Sequence, residues 1–215
     1  MSVKPYYERD GITIYHGDCR EILPTLAADV MVTDPPYGSN YSSGRNGPYR
    51  GVAIANDQDV SFRDEVLALW KGPALVFGEW RNPVPNARQA MVWDKGLAAG
   101  MGDLSIPWKP NWEMVFVIGT GFSGKRTSGI LVGSVVTWAS KGRVHPNMKP
   151  VSLMADLIAK CPAGLVLDPF MGSGTTLVAA KLGGRRAIGI EIEERYCEIA
   201  AKRLAQGVLP FGGAT

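Results

Sequence analysis

Asp34-Pro35-Pro36-Tyr37 sets a carboxylate beside two prolines and an aromatic ring, directly after the apolar run Val30-Met31-Val32-Thr33. Proline has no N–H, so it leaves a strand ladder and fixes the backbone. Its carbonyl still accepts. An acceptor-rich, donor-poor pocket walled by a flat ring suits a planar ligand that carries an NH₂ group. Asp-Pro and Pro-Pro are also ordinary turn chemistry. By itself the tetrapeptide therefore reads equally well as the proline-rich end of a strand with Tyr37 in the core.

A second constellation lies far downstream. Asp168-Pro169-Phe170-Met171-Gly172-Ser173-Gly174-Thr175-Thr176 is a glycine-rich turn between a strand-like run, Leu165 to Leu167, and a helical one. A phosphate-binding P-loop needs lysine after its last glycine, and a dinucleotide fingerprint needs a third glycine. Thr175 and Leu177 stand at those places. Asp168 before the glycines repels phosphate and attracts a cation. Glu191 closes the next apolar run, Ala187 to Ile190, where an acid accepts hydrogen bonds from ribose hydroxyls in dinucleotide folds. A nucleoside bearing a positive group satisfies both acids, and S-adenosylmethionine is such a molecule. The plain alternative is a helix-packing glycine turn beside a surface glutamate. A third acid, Asp18, follows the β-branched run Gly11 to Tyr15. Its spacing to Glu21 is that of a capping box, so helix capping and ligand contact are both open for it.

The elements that must position these residues follow from periodicity. Strands are expected at Gly11–Tyr15, Val30–Thr33, Ala74–Phe77, Ala90–Trp93, Met114–Ile118, Val135–Ala139, Leu165–Leu167 and Ala187–Ile190. Helices are expected after Asp18, from Ser61 to the Gly72-Pro73 stop with Phe62, Val66, Leu69 and Trp70 at helical spacing, from Pro150 to Cys161 with Leu153, Met154, Leu157 and Ile158 on its apolar face, up to Leu182, and over Glu193–Ala205. Strands alternating with helices predict an α/β sheet. Residues 38–56 have no periodicity and carry Tyr41, Arg45, Tyr49 and Arg50, a mixture that can grip a sugar-phosphate backbone. Trp108, Lys109, Lys125 and Arg126 mark a second irregular, basic stretch.

The 215 residues, net charge of +3 and pI near 8.8 allow a nucleic-acid partner without requiring one. The three cysteines have no CxxC spacing, so neither zinc nor a disulfide framework is expected. No apolar run approaches a membrane span, and the first residues have no signal core. A cytoplasmic setting is the expectation.

DPPY at 34–37, DPFMGSGTT at 168–176 and GIEIEERYCEIA at 189–200 together resemble the amino-group DNA methyltransferases, which act on N6 of adenine or N4 of cytosine. HGDC at 16–19, MVWDKG at 91–96 and HPNMKP at 145–150 extend the resemblance. The order, catalytic motif first and cofactor motif second, resembles the β group. Asn147 departs from the threonine usual in the HPTxKP segment.

The resemblance implies a circularly permuted, seven-stranded Rossmann-like S-adenosylmethionine-dependent methyltransferase fold in one domain over 1–215. The catalytic half would span about 11–96 and the cofactor half about 140–205, with small recognition insertions at about 38–60 and 97–134. Asp34, Pro35, Pro36 and Tyr37 would hold the target base. Asp168, Pro169, Phe170, Gly172, Gly174 and Thr175 would form the cofactor turn, lining the methionine part. Glu191 would take the ribose hydroxyls, Asp18 would approach the adenine amino group, and Lys149 would close over the cofactor. Double-stranded DNA is the expected substrate, with the base flipped out. The family context is restriction-modification, and it allows a homodimer. Aspartate at the head of the tetrapeptide favours adenine N6, with cytosine N4 or a silent DNA-binding module as alternatives. No metal is called for.

Overall fold

The computed structural model describes residues 3–40, 55–96, 104–133 and 148–206. The expected strand at 135–139, the residues Tyr41, Arg45, Tyr49 and Arg50, and positions 145–147 of the HPNMKP segment lie outside them.

The strands are β1 (Tyr7–Arg9), β2 (Ile12–His16), β3 (Val30–Thr33), β4 (Ala74–Gly78), β5 (Gln89–Asp94), β6 (Trp112–Ile118), β7 (Ile130–Val132), β8 (Val166–Asp168) and β9 (Ala187–Glu191). The helices are α1 (Cys19–Ile22), α2 (Ser61–Leu69), α3 (Val151–Ile158), α4 (Thr175–Leu182) and α5 (Glu194–Ala205), with a 3₁₀ turn at Leu23–Thr25. One sheet runs in the order β1-β2-β9-β8-β3-β4-β6-β5-β7. The inner seven of these strands match the number expected for the permuted sheet. The two edge strands, three residues each, exceed the expected seven. Sequence reading assigned no strand to either, because a three-residue run is too short to show alternation.

Strands β3 and β8 are buried throughout, as expected for strands covered on both faces. Helix α3 buries Leu153, Met154, Leu157 and Ile158, the face its 3.6-residue period predicts. Pro150 caps this helix from extended backbone instead of opening its first turn. Helix α2 departs from expectation. Leu69 is exposed, and the buried positions are Val66 and Arg63. The Arg63 guanidinium donates to Asp64 and to the carbonyls of Asn82 and Pro83, so a buried charge is paired, as its desolvation requires.

Two features of the sheet place the site. Parallel β3 pairs with β8 on one side and β4 on the other, and β8 pairs onward with β9. The chain thus leaves β3 and β8 in opposite directions, which opens a crevice at their carboxyl ends. Strand β6 is antiparallel to both β4 and β5, so its first residues lie at the edge where the parallel strands end.

Candidate active site

The two motifs foreseen from sequence emerge side by side. Asp34 follows β3, Asp168 ends β8, and Thr33 Oγ1 donates to Asp168 Oδ1 at 2.6 Å. Asp168 is 2% exposed. Its Oδ2 accepts from Thr176 Oγ1 at 2.5 Å and its Oδ1 also accepts from the Phe170 amide at 3.1 Å. The structure therefore places Asp168 beneath the turn, tying β8, β3 and the start of α4 together. Burial pushes its carboxyl up to about 6, against the pull of these three donors.

Above it the turn opens. Gly172 has φ +49, and a Cβ there would meet nothing within 4 Å. Gly174 precedes α4 in left-handed backbone, φ +79, and a Cβ would fall 2.7 Å from Ala200 Cβ. Helix α5 also sends Arg203 to the Ser173 carbonyl, Ser173 Oγ and Thr175 Oγ1. Gly174→Ala should therefore cost about 1–3 kcal/mol through strain and overlap. The lowered melting temperature should come with weaker cofactor binding.

Glu191 reaches the turn from β9. Its Oε2 accepts from the Gly172 amide at 3.0 Å and its Oε1 from the Glu193 amide at 2.8 Å. Each oxygen retains a second lone pair for a hydroxyl donor. Burial pushes this acid up to about 7 from its ordinary 4.5. An acid held above its unfolded value keeps its proton longer when folded. Its contribution to stability is complete below about pH 4.5 and lost as pH rises through about 7. Asp168 acts in the same direction near 6. Hydroxyl binding instead needs the ionised acid. Cofactor affinity should thus climb across pH 6–8 in calorimetry, and Glu191→Gln should flatten that climb.

Asp18 lies at the end of β2 as expected, yet its carboxylate is engaged. It caps α1 by accepting from the Arg20 amide at 2.8 Å, and the Arg20 guanidinium holds it at 2.7 Å. That pairing keeps its carboxyl below the ordinary range. Arg20 stacks over Phe62, which packs edge-on against Phe170. Arg20, Phe62 and Glu65 line a cleft of about 230 Å³ with Asn56, Gln58, Asp59 and Ser61. His16 Nε2 donates to the Ile192 carbonyl at 3.1 Å, a structural contact.

The tetrapeptide is held from several sides. Pro35 is buried. Asp57, itself buried, accepts from the Gly38 and Ser39 amides, and Asn82 Nδ2 donates to the Tyr37 carbonyl at 3.0 Å. The Tyr37 hydroxyl donates to Asp34 Oδ1 at 2.7 Å. Lys149, the residue expected to close over the cofactor, lies against Asp34, with Nζ 2.6 Å from Oδ2. Sequence reading also missed Glu113 and Lys95. Glu113 Oε2 lies 3.0 Å from Lys149 Nζ, and its Oε1 accepts from Lys95 Nζ at 2.9 Å. Burial raises Asp34, against Lys149. Burial alone would lower Lys149, but the two carboxylates hold it near 12. Lys149 and Lys95 outweigh burial at Glu113 and lower it.

A family model described as DNA methylase matches residues 107–202. The chain is 28% identical to type II methyltransferase M2.DpnII of Streptococcus pneumoniae, over 95% of this chain and 93% of that protein. Type II methyltransferase M.ScaI of Streptomyces caespitosus is also 28% identical, over 94% and 84%. The structure of an M1.HpyAVI–SAM complex superposes with a TM-score of 0.63 at 26% identity, covering 89% of this chain and 99% of that one. Together these likenesses support an amino-group DNA methyltransferase. PvuII DNA methyltransferase, titled cytosine-N4-specific, shares the fold with a TM-score of 0.70 at 20% identity. The cofactor of the methyltransferase is S-adenosylmethionine. The open space over Gly172, beside Glu191, fits a nucleoside amino acid at this turn.

Proposed function

We propose that this methyltransferase modifies N6 of adenine in double-stranded DNA, with the target base turned out of the duplex onto Asp34 and Tyr37. The observation that carries the reading is the hydrogen bond from Thr33 to Asp168, which locks the amine-binding tetrapeptide one strand from the cofactor turn. S-adenosylmethionine, when bound, supplies a methyl group on a positively charged sulfur, already reactive toward an amine.

The work left to the chain is positioning and electrostatics. An exocyclic amine is a poor nucleophile because its lone pair is delocalised into the ring. The Asp34 carboxylate and the Pro35 carbonyl accept its two N–H bonds, which localises the lone pair and aims it at the turn. When the amine takes the methyl, the carbon–sulfur bond would break with its electron pair left on the now neutral sulfur, and the nitrogen would pass its extra proton to Asp34. Glu191 takes the ribose hydroxyls, and the glycines let the backbone approach closely.

Extruding a base costs a few kcal/mol, and stacking on Tyr37 returns about 1–3 kcal/mol. Trp80 and Arg81 follow β4 at this same edge, both exposed, with the guanidinium 5.0 Å from the indole ring centre. Trp108 is exposed as well. These residues offer stacking and phosphate contacts, so DNA affinity should fall steeply with salt. The aspartate heading the tetrapeptide favours adenine. The type II relatives favour a modification role beside a nuclease in a bacterial cytoplasm.

The test is nucleoside mass spectrometry of unmethylated DNA incubated with protein and S-adenosylmethionine. N6-methyladenine supports the reading, and mapping the modified positions yields the recognition sequence. N4-methylcytosine overturns the base assignment and keeps the mechanism. No modified base overturns the activity.

A further inference from the structure

Both oxygens of Asp34 are already engaged. The Tyr37 hydroxyl holds Oδ1 at 2.7 Å and the Lys149 ammonium holds Oδ2 at 2.6 Å. Each oxygen keeps a second lone pair, so an incoming amine would share this carboxylate with the Lys149 ammonium unless one of the two donors moves. Lys149 is the one that must yield, because a cation beside a nitrogen gaining positive charge opposes the reaction. Yet its side chain is only 8% exposed, and a buried ammonium left without a partner is strongly destabilising.

The surroundings of Lys149 resolve this conflict. Glu113 Oε2, at the start of β6, is already 3.0 Å from its Nζ. The other Glu113 oxygen is fixed by Lys95, which follows β5. The rings of Phe77, Tyr37 and Trp93 stand 5.0, 5.7 and 5.9 Å from the same Nζ. They form an aromatic cage in which a cation is tolerated while it shifts. The ammonium therefore has a second carboxylate within reach and needs no path to solvent.

Building on the proposed amine methylation, we propose that Glu113 is a positioning residue that takes over the Lys149 ammonium when the target amine arrives at Asp34. Lys149 occupies the amine's place in the free protein as a charged surrogate. Its transfer to Glu113 frees one Asp34 oxygen and keeps the buried cation paired. Lys95 holds Glu113 in the geometry that receives it. No covalent bond changes, and Lys149 stays protonated throughout.

Two measurements test this, and the first does not depend on activity. The Lys149 pKa is read by NMR of protein carrying labelled lysine, assigned with Lys149→Met. In Asp34→Asn, Lys149 should stay protonated above the ordinary 10.5, because Glu113 alone retains it. In Asp34→Asn/Glu113→Gln it should fall below that value. A fall in Asp34→Asn with Glu113 intact would overturn the proposal, whatever the protein methylates.

The second measurement is turnover. Glu113→Gln should lower kcat about tenfold or more, with the cofactor dissociation constant unchanged and partial rescue by Glu113→Asp. In a Lys149→Met background the same substitution should cost much less, because no ammonium remains to be received. Equal losses in both backgrounds, in variants that melt like the parent, would overturn it. Wild-type protein that methylates no DNA would refute the activity alone, and the NMR result would still decide which residue holds Lys149.

Discussion

Asp34→Ala will abolish methyl transfer while the cofactor stays bound. The substitution removes the acceptor proposed to align the target amine and the base proposed to take its proton. Loss of such a preorganised group costs at least two to three orders of magnitude in rate, about 10²–10³-fold or more. The fold should survive, because Lys149 keeps Glu113 as a partner and Tyr37 keeps Glu113 Oε2 within 3.2 Å. Calorimetry should therefore give an unchanged dissociation constant for S-adenosylmethionine, since Asp168 and Glu191 are untouched. Asp34→Asn retains the shape and one acceptor, so it separates charge from packing. Turnover equal to the parent in either variant would remove Asp34 from the mechanism.

The second large effect is expected at Asp168, and it works through architecture. Asp168→Ala removes the acceptor for Thr33 Oγ1, Thr176 Oγ1 and the Phe170 amide together. Orphaning a buried donor costs about 1–3 kcal/mol each, and three are affected in one place. The variant should melt well below the parent and bind S-adenosylmethionine at least tenfold more weakly. The residue is 2% exposed, so the loss of affinity comes from relaxation of the turn above it. Asp168→Asn keeps an acceptor oxygen and should fall between the two. Unchanged affinity in Asp168→Ala would show that the turn holds its shape without its buried anchor.

Most of the sheet was legible because buried parallel strands and amphipathic helices write strong local signals. The runs at Val30–Thr33 and Ala187–Glu191, and the 3.6-residue face of α3, needed no tertiary knowledge. The glycines at 172 and 174 were legible as a turn, and both have positive φ. What failed to show was the partner of each polar group. Leu69 was expected in the core of α2, and Arg63 took a buried place there because the carbonyls of Asn82 and Pro83 receive its charge. Asp18 carried two readings in sequence. The structure gives it the capping role, with Arg20 as a second partner that only folded geometry could supply.

The sequence by itself determined the chemistry on offer: a carboxylate between a strand and two prolines, a glycine turn that is neither P-loop nor dinucleotide fingerprint, and acids at strand ends. These are local facts, fixed by residue type and by where apolar runs stop. Only the tertiary structure decided which charges meet. Glu113 begins a strand and Lys95 follows one, and no spacing links either to Lys149 or Asp34. They converge because β6 runs antiparallel to β4 and β5, which brings its first residues to the edge where the parallel strands deliver Asp34 and Asp168. Strand direction is set by long-range pairing, and that pairing brings Glu113 to the ammonium that Lys149 holds against Asp34.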